Sequence, residues 1–271
     1  MKKLREISFD NITRKVSDAC IKSLFKISDD WVQALQLCSR SAPPQTKQLE
    51  HLLSRIDNGE ILFEKDEISF IECYIKLGQE IHIVGGEFAL AVTEGVRICQ
   101  ERGAFQSSVY LHPLVQQEVA GFFTSTHTTV VEGDRLRINL FAVSNVCSKT
   151  FMLTPDTSMD KLIRVVVRNT SELVHDIGLP FILGIGIGGN LEMSLLNSAR
   201  AARRTIGQSA KHVDDAKIEK TIFNILRTSP TKDSLKCMPL AANIESFPCH
   251  IGSLPLAITI YSPFGKLSLE I

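Results

Sequence analysis

The sequence has no excess of either charge, no long apolar run and no Cys-x-x-Cys pair. Lys+Arg and Asp+Glu each number 30, so the formal net charge is zero and the pI is about 7.0. Nucleic-acid binders carry a basic surplus or stripe, and that class is set aside. A chain with no net charge is also poorly protected against association, which fits a subunit of an oligomer. The longest apolar stretch, residues 179–187, is broken by glycines and falls well short of the ~20 residues a membrane span needs. The N-terminus has two lysines but no apolar h-region, so no secretory leader is expected there. The seven cysteines are odd in number and scattered, which argues against a disulfide framework and for a reducing cytoplasm. Internal repeats and low-complexity linkers are absent as well.

What is present reads as a helical start followed by a mixed α/β body. Asp10 caps a segment in which Ile12, Val16, Cys20 and Leu24 share a face. A second helix begins at Ser28 and carries Trp31, Ala34 and Leu35, and a third runs through Leu49, Leu52, Leu53 and Ile56. Residues 1–60 are thus expected to form a helical cap and 61–271 the body of one domain. In the body, strands are expected over 68–77, 128–131, 135–143, 179–187 and 254–261, with helices over 87–99, 158–176, 191–204 and 216–226. The tripeptide Glu132-Gly133-Asp134 reads as a turn pairing its two flanking strands, and 205–214 as the most flexible stretch. The fold class is α/β (α+β mixed): a mixed sheet with flanking helices.

Gly184-Ile185-Gly186-Ile187-Gly188-Gly189 matches G-x-G-x-x-G between an apolar run and a helix. A dinucleotide site is disfavoured, because the unit does not open a βαβ and no strand-end acid follows about 20 residues on. Two readings stay open. Gly184, Gly186, Gly188 and Gly189 either free backbone N–H groups for a carboxylate or phosphate, or permit close packing of helix on sheet. Arg200, Arg203 and Arg204 at the far end of that helix read as a solvated, dipole-stabilised face or, less simply, as anion contacts.

Four blocks carry a family resemblance. LPFILGIGIGGNLEMSLLNSARAARRTIG (179–207) resembles the glycine signature of the class I (iron–sulfur) fumarase and L-tartrate dehydratase α-subunit family. KLGQEIHIVGGEFALAVTEGVRICQERGAFQSSVYLHPL (76–114), EGDRLRI (132–138) and AANIESFPCHIGSLPLAITIYS (241–262) resemble further blocks of the same family, in the same order. The resemblance implies a fumarase α-subunit-like fold and hydro-lyase chemistry on a dicarboxylate. It also implies a 4Fe–4S cofactor held by three cysteines, with a β-type subunit or domain completing the site. Homo-oligomers, a β-type subunit and a dicarboxylate are therefore the expected partners, with no nucleic acid and no membrane.

The chemistry-bearing positions depart from that pattern. The resemblance places the three cluster ligands at Glu64 (or, with a different gap, Lys65), Gly178 and Ser262, none of which is cysteine. Asp66 keeps the aspartate of the first ligand motif and is the candidate acid–base residue. Ser144 and Asn145 are what remains of a family Gly-Ser-Glu-Asn loop, as candidate carboxylate contacts. Cys73, Cys147 and Cys249 are the fallback thiols for a relocated cluster. The expected function is a divergent, cluster-free family member with weak or no lyase activity, serving as a dicarboxylate-binding or partner subunit. The alternative is an active fumarate or tartrate hydro-lyase α subunit with a relocated cluster and a separate β subunit.

Overall fold

The structure, a computed structural model, describes residues 4–25, 29–41, 50–51, 54–55, 57–60, 70–103, 108–112, 114–120, 123–143, 146–177, 180–229, 238–261 and 265–271. In chain order the elements are β1 (Arg5–Ser8), α1 (Phe9–Phe25), α2 (Asp29–Ser41), β2 (Phe70–Gly78), β3 (Ile81–Val84), α3 (Phe88–Gly103), β4 (Ser108–Tyr110), β5 (Glu118–Ala120), β6 (Phe123–Val131), β7 (Leu136–Val143), β8 (Val146–Leu153), α4 (Met159–Ile177), β9 (Phe181–Gly188), α5 (Leu191–Ala202), α6 (Val213–Thr228), β10 (Pro239–Phe247), β11 (Leu254–Tyr261) and β12 (Gly265–Glu270). This is the mixed α/β class that the sequence pattern implies. None of the described helices is long and apolar enough to cross a membrane.

The chain packs as two compact units. One takes Met1–Ser28, His51–Ser144 and Phe264–Ile271; the other takes Asp29–Glu50 and Asn145–Pro263. The cap-and-body boundary expected at residue 60 is not among these limits. Leu49, Leu52, Leu53 and Ile56 of the third expected helix lie outside the described residues.

The first unit is built on a sheet of order β12-β7-β2-β6. Alternation in β2 puts Ile71, Cys73 and Ile75 on one face, level with Ala142, Leu140 and Ile138 of β7, and all six are buried. Helix α1 lies against α3, β7 and β12, burying Ile12, Val16 and Cys20 at the predicted four-residue spacing. One sequence expectation fails here. Strands β6 and β7 do not form a hairpin across 132–134, because β2 is inserted between them, parallel to β6 and antiparallel to β7. The turn instead crosses the end of β2, where the Gln79 and Glu80 N–H groups donate to the Val131 and Gly133 carbonyls at 2.9 and 3.0 Å. Gly78 makes the crossing feasible, since a Cβ there would sit 2.4 Å from the Gly133 carbonyl oxygen.

The second unit is built on a sheet of order β10-β9-β11-β8. Strand β10 runs parallel to β9, while β11 is antiparallel to both β9 and β8. Val166 and Val174 of α4 and Ile218, Ile222 and Leu226 of α6 join Leu183, Ile185, Ile258 and Ile260 in one apolar core. Helix α5 covers the opposite face. Neither β8 nor β10 is legible as a strand from the sequence, because Ala241-Ala242-Asn243 and Ser148-Lys149 are poor strand formers. Nor is 205–214 loose: the Ile206 N–H donates to Asp30 Oδ2 at 2.8 Å and the Ala210 N–H to Glu219 Oε2 at 3.0 Å.

Candidate functional site

The glycine run ends β9 and leads into α5, and its first task is contact. A Cβ on Gly184 would lie 2.0 Å from the Ser198 carbonyl oxygen, and one on Gly186 1.8 Å from that of Ser194. Two glycines at strand spacing thus meet two serines at i, i+4 spacing, and α5 rests directly on the β9 backbone. Gly188 and Gly189 adopt φ of +89° and +67°, the left-handed turn that releases the chain into the helix. Two amides of this turn are already engaged. Gly189 N–H donates to the Pro248 carbonyl at 3.2 Å, and Met193 N–H to the Asn190 side-chain oxygen, the N-cap, at 2.7 Å. Of the two open readings, close packing is the one this geometry supports.

Across the same face, Ser198 Oγ lies 2.6 Å and Ser148 Oγ 3.0 Å from Thr259 Oγ1, so the hydroxyls beneath α5 bond one another. At the helix's C-terminal end, Arg203 and Arg204 are not a solvated face. Arg203 is 7% exposed, stacks 4.5 Å from the Tyr261 ring centroid and donates to the Tyr261 hydroxyl. Burial lowers the Arg203 pKa and raises that of Tyr261, each shift being partly offset by the other group. Arg204 pairs with the Glu219 carboxylate and donates to Asn243 Oδ1 at 3.1 Å and the Ile244 carbonyl at 3.0 Å. Glu219 also accepts the Ile244 N–H at 2.6 Å. Both guanidinium groups are therefore committed to internal partners. Glu219, Asn243 and Tyr261 were not legible as a set, since they lie 15 to 58 residues from their arginines in sequence.

The remaining candidates divide sharply. Asp66, Glu64, Gly178, Ser262, Ser144 and Asn145 lie outside the described residues. Cys73 is buried on β2 of the first unit, and Cys147 and Cys249 belong to the second, half-buried and exposed respectively. Cys147 is level with Ile260 and hence with Leu183 at the start of β9, whereas Cys249 follows Phe247, which is level with Gly188 at its end. Five strand steps, roughly 16 Å, lie between those levels. The sheet does not bring these two fallback thiols together. Among the described residues, no three His, Cys, Asp or Glu side chains group as a metal site.

A 4Fe–4S cluster with one open iron sets the donors the chain would have to supply. Three soft thiolates are needed. The family positions offer one carboxylate, one hydroxyl and a glycine, and the fallback thiols are not gathered. The donors at the three family positions do not match that set.

Cysteine environments make a direct prediction. A hydrogen bond with Cys99, added to burial, holds the Cys20 thiol well above its ordinary value, and burial alone pushes Cys73 up to about 12. At pH 8 a thiol reagent should label Cys249 rapidly and leave Cys20 and Cys73 unreacted until the protein unfolds. The unfolded chain ionises Cys73 above about pH 9 while the folded chain does not. That contribution to stability is therefore complete below pH 9 and lost as pH rises towards 12. Labelling of Cys73 at the unfolded rate in native protein at pH 8 would contradict its buried placement.

A family model described as fumarate hydratase (Fumerase) matches residues 13–261. No curated protein matches the chain. The matched span takes in the glycine turn, its helix, the Arg204 network and all of β11, so that the chain belongs to the fumarate hydratase (Fumerase) family of hydro-lyases.

Proposed function

We propose that this chain is a cluster-free member of the family that has kept the fold and lost the lyase chemistry, and that it serves as a partner subunit. The observation that carries this reading is the donor set at the three ligand positions, Glu64, Gly178 and Ser262. A glycine supplies no side-chain donor, and neither carboxylate nor hydroxyl replaces a thiolate on iron–sulfide. Without an open iron, a dicarboxylate loses the Lewis acid that would polarise its hydroxyl and carboxylate. Arg203 and Arg204 are engaged internally, which favours a partner role over dicarboxylate capture at the glycine turn. A reducing cytoplasm suits a protein in which no described cysteine is in a disulfide.

Anaerobic purification and reconstitution with iron and sulfide tests this reading. The expected result is iron and acid-labile sulfide far below one cluster per chain, no charge-transfer absorbance, and no hydration of fumarate or dehydration of tartrate. Near-stoichiometric iron and sulfide would overturn it. Hydration that vanishes in Asp66→Asn would establish the alternative, an active α subunit.

A further inference from the structure

The second unit has an open edge beside a basic, apolar cleft, on the sheet face opposite the glycine turn. Strand β8 is the last of its sheet and pairs, among the described residues, with β11 alone. Helix α4 runs back along it, so that Lys149 Nζ reaches Asn169 Oδ1 at 2.6 Å. Between them lies a cleft of about 800 Å³ lined by half-buried Phe151, Leu153, Val165 and Val167. Its charged lining is one-sided: Lys149, Lys161, Arg164 and Arg168 stand against Glu172 alone. Arg168 is 82% exposed, and its 3.4 Å pair with Glu172 is a screened surface contact.

We propose that this cleft is a docking groove for an extended acidic segment of a partner polypeptide, which adds to β8 as a fifth strand. Two independent features select that occupant. Among the described residues, no strand pairs with the outer edge of β8, whose row of main-chain donors and acceptors only another strand satisfies along its length. Such a strand would lie ~4.8 Å from β8, and every second side chain would fall on the Phe151 and Leu153 face beside α4. The four cations and one carboxylate then select acidic residues there, with apolar ones between.

The probe is a fluorescein-labelled peptide alternating Asp or Glu with Val or Leu over seven residues, followed by anisotropy with the full chain. Binding is expected, and it should weaken about tenfold or more in the Arg164→Glu/Arg168→Glu double variant, both of whose native arginines are exposed, with far-UV circular dichroism unchanged. N-methylation of the peptide amides on one edge should abolish binding, whereas methylation on the other edge should leave it unchanged. No binding, equal binding of a lysine-for-acid peptide, or indifference to which edge is methylated would each overturn the proposal. Displacement by sodium dodecanoate that is unaffected by N-methylation would assign the cleft to an amphiphile and overturn it too. So would a homodimer that the double variant dissociates while the peptide fails to bind.

Discussion

Gly186→Ala is expected to lower the stability of the second unit by about 3 kcal/mol or more, the upper end of what overpacking costs. The added methyl would stand 1.8 Å from the Ser194 carbonyl oxygen and 2.6 Å from the Ser198 amide nitrogen. Both are main-chain atoms in the middle of α5, so no rotamer change relieves the overlap and the whole helix must lift. Lifting it also separates Ser198 from Thr259 and pulls on Arg203, which is stacked on Tyr261. For a chain of this size the loss corresponds to a fall in Tm of about 6–12 °C. Urea unfolding followed by far-UV circular dichroism measures it. An unchanged midpoint would mean that α5 does not rest on β9 as described, and would return the glycines to the anion reading.

Removing one partner of the Arg204–Glu219 pair should cost about 3–5 kcal/mol, because the other charge is left buried. The side chains are 10% and 8% exposed, and neither can turn to water. In Glu219→Gln the one side-chain carbonyl can meet only one of the Ile244 and Ala210 amides, which bond different carboxylate oxygens, and the guanidinium keeps only the half-exposed Glu245 carboxylate at 3.5 Å. In Arg204→Met the carboxylate keeps two amide donors and no cation. The double variant should cost less than the sum of the two, by about 1 kcal/mol or more, as contacting residues do. Additive costs would show that the two groups do not interact.

Periodicity revealed those elements whose local pattern and final environment agree. Residues 181–188 and 254–261 are apolar, β-branched runs buried on both faces, and they are strands within two residues of expectation. Val166, Val174 and Ile177 mark the inner face of α4 for the same reason. The pairing of strands is a different kind of information. The turn chemistry of Glu132-Gly133-Asp134 is ordinary hairpin chemistry, yet a strand from fifty residues earlier separates β6 from β7. No local signal encodes that insertion; only Gly78, at the crossing, hints at it. The site was half legible. The glycine run announced a helix meeting a strand, but both packing and anion binding require the same small residue. Ser194 and Ser198, four apart on α5, decide between the readings, and they mean nothing until the helix is laid on the strand. Arginines at a helix C-terminus look solvated in a sequence, because Glu219, Asn243 and Tyr261 reach them through tertiary structure alone.

The place of β12 has a consequence for synthesis. Residues 265–270 complete the sheet made by residues 70–143, and Ile271 and Leu136 exchange main-chain hydrogen bonds at 2.8 and 3.4 Å. Every residue of the second unit therefore leaves the ribosome before the first unit receives its closing strand. Through that interval β7 presents a bare edge to whatever surrounds the nascent chain, while the later-made sheet is free to finish first. The order of translation and the order of completion are reversed, and the window of greatest exposure belongs to the part that was made earlier.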